Sequence, residues 1–213
     1  MKRLPWIVMV LLLGVGCSQE APEIRQQFVQ RNYREDPRIN VGYEQLSVFL
    51  HVDDEDGYED LEYLYIIHDK DELFWILDAD SWEYRERDGE TWIGSNEIVM
   101  ADFTPFPEGT YRLVVIDKAG ERKETEAFLL SPPAPPRLPR ITVGDQSLII
   151  EGPIRQYTLW MYRDGSFLGS QNIKAGTINT ADLKDEKAEE IYLYYYDEEK
   201  GRGIIRGPYT LGR

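Results

Sequence analysis

From Val41 onward, no run of ten residues carries a capped apolar period near 3.6, whereas short apolar–polar alternations recur between turn signals. In LSVFLHV, Leu46, Val48, Leu50 and Val52 share one face, as a strand with one side on a core requires. LEYLYIIH (61–68), LFWIL (73–77), NEIVMADF (96–103) and the series Tyr111, Leu113, Val115 continue the theme. Asp88-Gly89 and Asp164-Gly165 are two-residue hairpin turns; Lys118 to Glu121 and Glu199 to Gly201 are polar turns. Aromatic residues make up 12% of the chain, with 14 Tyr and 5 Trp, and such side chains pack well on a pleated surface. The expected fold class is all-β.

SPPAPPRLPR (131–140) holds five prolines, a composition that makes a stiff, extended spacer. It divides the chain into a β-domain over 41–131, a linker over 132–139 and a smaller β-domain over 140–213. Residues 17–40 are polar and read as a tether, in which IRQQFVQRNY (24–33) can form a first edge strand. The stretch Gly109-x-Tyr111-x-Leu113-x-Val115-x-Asp117-x-Ala119-Gly120 resembles the last two strands of immunoglobulin-like and fibronectin-type-III-like bacterial modules. That resemblance implies two β-sandwich domains. Gly109 two residues before Tyr111 also suits a tyrosine corner, whose hydroxyl bonds back to nearby backbone.

The first 16 residues have the layout of a secretory signal peptide: Lys2 and Arg3, an apolar run from Leu4 to Leu13, then small residues. The apolar run is too short for a spanning helix of about 20 residues. Cys17, the sole cysteine, follows at the place where the lipobox of bacterial lipoproteins has its acylated residue, with Gly14 where that family usually has Leu. The pattern is similar to relaxed lipoboxes of spirochaetal lipoproteins. It implies export, palmitate-type acylation at Cys17 and anchoring in the cell envelope, periplasmic or surface-facing. Each buried methylene of such an anchor contributes ~0.8 kcal/mol. The net charge of -15 sets the body against phosphate backbones and anionic lipid surfaces, so nucleic acid is not an expected partner. A single cysteine excludes an internal disulfide.

HVDDEDGYED (51–60) is the most site-like segment. An EF-hand aligned on Gly57 would need outer ligands where Val52 and Tyr63 stand, so that motif is excluded. A looser calcium site from Asp53, Asp54, Asp56 and Asp60 is one reading; an acidic turn around Asp56-Gly57 is the other. His51 and His68 fall near opposite ends of the strand over 61–68, too far apart for one ion. No nucleophile motif is present, and no enzymatic activity is expected. Trp75, Trp82, Trp92 and Trp160 are candidate binding residues. In Tyr192 to Tyr196, alternation sends Tyr192, Tyr194 and Tyr196 one way and Leu193 and Tyr195 the other; one set must be core. The functional expectation is a non-catalytic envelope module that binds or scaffolds a protein or glycan. Its alternatives are a carbohydrate-binding module using exposed Trp and Tyr, and a calcium-stabilised adhesin-like protein.

Overall fold

The computed structural model describes residues 20–87, 89–183, 185 and 187–212. The leader and Cys17 lie outside the described residues. The chain is all-β: fifteen strands and three single 3₁₀ turns among the described residues, with no α-helix. The strands are β1 (Glu23–Asp36), β2 (Val41–Asp53), β3 (Leu61–His68), β4 (Leu73–Leu77), β5 (Glu83–Arg87), β6 (Glu90–Val99), β7 (Gly109–Asp117) and β8 (Arg122–Leu129). After the proline segment come β9 (Arg140–Val143), β10 (Ser147–Glu151), β11 (Gln156–Arg163), β12 (Ser166–Lys174), β13 (Gly176–Asn179), β14 (Glu190–Asp197) and β15 (Arg202–Thr210).

One eight-stranded sheet, ordered β12-β11-β14-β15-β1-β2-β6-β5, runs through both halves of the chain. A four-stranded sheet, β4-β3-β7-β8, and a three-stranded sheet, β13-β10-β9, complete the structure. The inward alternation of β2 and β6 (Leu46, Val48, Leu50, Ile93, Ile98) joins Leu64 and Ile66 of β3 and Leu113 and Val115 of β7 in one core. A second core joins Tyr157, Leu159 and Met161 of β11 and Ile191, Leu193 and Tyr195 of β14 to Leu148 and Ile150 of β10. Burial of each such side chain contributes about 1.5–3 kcal/mol, so alternation alone fixes which face of each strand turns inward. Leu193 and Tyr195 are therefore the core set of β14.

Residues 24–33, read from sequence as tether and edge strand, lie instead in the interior of the large sheet. β1 pairs antiparallel with β2 over its whole length and parallel with β15 from Asn32 to Glu35. Its sequence is polar because polar contacts hold it. Arg31, 7% exposed, is ion-paired with Glu44, and its Nη2 donates to the Leu130 carbonyl (2.9 Å). Glu44 also accepts from the Phe106 amide (3.0 Å). Asn32 Nδ2 donates to Ser47 Oγ (2.9 Å), and Glu35 pairs with Arg206 of β15.

Hairpins follow the turn residues. Asp164 and Gly165 both have positive φ (48° and 75°), the requirement of a type I′ turn, between paired Arg163 and Ser166. Arg87 opposite Glu90 brackets positions 88 and 89; Asp88 itself lies outside the described residues. The Tyr111 hydroxyl donates to the Pro107 carbonyl (3.0 Å), while its ring is buried beside Trp75.

The proline segment is held rather than free. Prolines carry no N–H, so this backbone mostly accepts. Arg202 donates to the carbonyls of Ala134 (2.6 Å) and Pro133 (3.3 Å), Arg206 to that of Pro139, and the Tyr195 hydroxyl to that of Arg137 (3.1 Å).

Candidate functional site

The outer face of the eight-stranded sheet, opposite both cores, bows into a groove of about 610 Å³. Contributions come from strands on both sides of the β1–β15 junction. Phe167 of β12, Trp160 and Tyr162 of β11 and Tyr194 of β14 line one flank. Gln45 and Ser47 of β2, Glu83 and Arg85 of β5, and Asn96 and Glu97 of β6 line the other. Phe28, Gln30, Asn32 and Arg34, alternate residues of β1, lie between them with Ile205 of β15. An adjoining recess of about 200 Å³ shares Arg34, Glu97, Trp160 and Tyr162 and adds Glu190 and Tyr192.

The aromatic flank follows from the period of two. With Leu159 and Met161 inward, Trp160 and Tyr162 must face out; with Leu193 inward, so must Tyr192 and Tyr194. Trp160 and Tyr194 are diagonal neighbours on adjacent strands, Trp160 being paired with Tyr192, and they stack with centroids 4.9 Å apart and planes 13° apart. Tyr162 meets Tyr192 edge-on at 5.1 Å and Phe167 at 5.4 Å. The Arg34 guanidinium lies 5.3 Å from the Tyr192 centroid. Gly203 on β15 makes room: a Cβ there would lie 2.2 Å from Asn32 Oδ1 and 2.9 Å from the Tyr194 ring.

The polar flank is preorganised. Glu83 accepts from Asn96 Nδ2 (3.0 Å) and Arg85 Nη2 (2.6 Å). Burial raises the pKa of Tyr162, and Tyr192, Glu83 and Glu97 raise it further against the opposing Arg34. Burial likewise raises Tyr192 and Tyr194. The flank's phenols are neutral at physiological pH, each able to donate and accept a hydrogen bond. Flat apolar rings facing fixed carboxylate, amide and guanidinium groups can bind a ligand with one apolar face and a hydroxyl-rich rim.

Of the four tryptophans singled out from sequence, only Trp160 lines this groove. Trp75 packs against the first core and donates Nε1–H to the Val99 carbonyl (2.8 Å). Trp82 is half-buried against the same core. Trp92 stacks on His51 at 5.5 Å, outside the groove lining. His68 sits instead against Tyr111 at 4.6 Å. Sequence reading missed Arg34, Glu83, Glu97 and Phe167. The alternation of β11 and β14 was the one signal available; that β5 and β6 complete the same surface depends on pairing through β1.

The acidic loop is a turn, with Gly57 at φ 92° donating its amide to the Asp54 carbonyl (3.1 Å). Asp53 points away to Arg25 Nε (2.7 Å), and Asp56 is exposed. Asp54 and Asp60 come together with Asp117, from the end of β7, one carboxylate oxygen of each lying within 4.8 Å of the others.

The chain matches no family model, and no curated protein matches it. Among solved structures, an all-β chain of this form is similar to a bacterial lipoprotein. That neighbour is Tp47, the 47-kilodalton lipoprotein of Treponema pallidum, 12% identical, with a TM-score of 0.43. The alignment covers 87% of this chain and 50% of Tp47, so the chain spans about half the neighbour's length. Among the described residues, no helix is long and apolar enough to cross a membrane.

Proposed function

We propose that this chain is an exported, lipid-anchored protein of the cell envelope whose work is binding, not catalysis, with a glycan as the ligand of the groove. Its two halves are read as immunoglobulin-like or fibronectin-III-like sandwich modules sharing one sheet. The carrying observation is the Trp160–Tyr194 stack facing Glu83, Asn96 and Glu97 across the groove. A pyranose ring offers an apolar face to the aromatic pair and equatorial hydroxyls to the polar flank. The leader and Cys17 support the anchor.

A glycan panel applied to the purified protein tests the binding reading, with affinity measured by calorimetry. Trp160→Ala is expected to weaken binding at least tenfold, about 1.4 kcal/mol, and Trp92→Ala to leave it unchanged. Binding that Trp160→Ala does not weaken, or no ligand in the panel, sinks the glycan assignment. Fractionation tests the anchor: Cys17→Ser is expected to move the protein from the membrane to the soluble fraction.

A further inference from the structure

The first core ends, beneath the acidic turn, in carboxylates that form no ion pair with a basic side chain among the described residues. Asp117 is fully buried, at 0% exposure. Its Oδ1 accepts from the Ala119 and Glu121 amides, both at 2.8 Å, which fixes the carboxylate plane. Its Oδ2 is buried with no hydrogen-bond partner. Asp54 repeats the arrangement: Oδ1 accepts from the Asp56 amide (2.9 Å), and Oδ2 is buried and unpartnered. Asp60 is brought alongside by register, because Leu61 pairs with Asp117 and the Lys118 amide donates to the Asp60 carbonyl (2.8 Å). The neighbouring ammonium is engaged elsewhere: Lys118 Nζ donates to the Glu59 carbonyl (2.6 Å).

An unpaired buried carboxylate oxygen is costly, and two of the three carboxylates that come together here each carry one. We propose that Asp54, Asp60 and Asp117 bind a divalent cation, calcium, which ties the β2–β3 turn to the β7–β8 hairpin. The chemistry and spacing fit. Two ligands of one Ca²⁺ at about 2.3–2.6 Å can lie up to about 5 Å apart, and one oxygen from each of the three carboxylates lies within 4.8 Å of the others. Asp54 and Asp60 are only half-buried, so water can complete a shell of about 6–8 oxygens. Mg²⁺ gives up its waters reluctantly and demands a near-octahedral cage, which two loops joined by three carboxylates do not supply.

The test is thermal unfolding of the chelator-treated full chain with the metal added alone. Extracellular calcium modules bind in the range of about 10⁻⁴–10⁻³ M, so about 5 mM Ca²⁺ is expected to raise Tm by about 3–6 °C. Asp117→Asn and Asp60→Asn are expected to abolish the rise, and Asp53→Asn to retain it. Asp60 is half-buried and at a turn, so Asp60→Asn is the milder change and keeps the test decisive if Asp117→Asn does not fold. No rise in the unmodified protein, a full rise in Asp60→Asn, or the same rise with Mg²⁺ overturns the assignment.

Discussion

Arg31 and Glu44 are the residues by which a polar strand became an interior one. Both are nearly buried, and their ion pair is completed by the Leu130 carbonyl and the Phe106 amide. Removing one partner leaves the other charge unpaired in a dry setting, which costs about 3–5 kcal/mol. Arg31→Met is therefore expected to lower the urea-unfolding free energy by that amount. The double variant Arg31→Met/Glu44→Leu should recover most of the loss, since replacing a whole buried pair with apolar groups is often neutral. Residue-level legibility was uneven for the same physical reason. Leu46, Val48 and Leu50 announce their face by period, and Tyr111 announces its corner by spacing. Asp117 announces nothing, because it joins Asp54 only through the register of β3 on β7. Trp160 and Trp75 look alike in sequence; one lines the groove and the other packs on a core.

Among the elements, the proline segment shows most that its composition does not reveal. Its composition implies a stiff extended spacer, and the segment is in addition fastened by three side chains from β14 and β15. One of these fastenings titrates. Burial, joined by Tyr157 and Asp197, pushes the Tyr195 pKa up to about 12, against about 10 in an unfolded chain. A raised folded-state pKa means that the stabilisation is complete below about pH 10 and is lost as pH rises toward about 12. Alkaline titration is expected to show exposed tyrosines ionising first and a late fraction of the tyrosinate absorbance appearing together with loss of structure in that window. Tyr195→Phe should shift the unfolding to higher pH, because one buried hydroxyl no longer ionises. Sequence could place this segment, but it could not show its partners, which lie almost seventy residues downstream in the case of Arg202.

At the scale of the molecule, two separate cores hang on one sheet. β1 belongs to the chain before the first core, yet its two neighbours come from opposite halves. Melting either half strips one side of β1, so calorimetry is expected to record a single cooperative transition. Gly203→Ala forces a side chain against Asn32 and Tyr194 at that junction, and is expected to destabilise both halves together by about 1–3 kcal/mol. Two resolved transitions would mean that the junction does not couple the cores. The all-β class and the Asp164-Gly165 turn were legible because alternation and turn chemistry are local. The common sheet was not, because a parallel pairing of residues 32–35 with 203–206 leaves no local trace.

The position of β1 has a mechanical consequence. Five residues separate Cys17 from Glu23, a reach of at most about 20 Å. Tension on the proposed anchor reaches the fold first at β1, and its component along the strand is what the ladders must resist. The hydrogen bonds of β1 run across the strand axis, to β2 on one side and β15 on the other, so they are loaded together in shear instead of unzipping one by one. A tug from the membrane is thus spread over the middle of the molecule, next to the groove where a bound ligand would pull back.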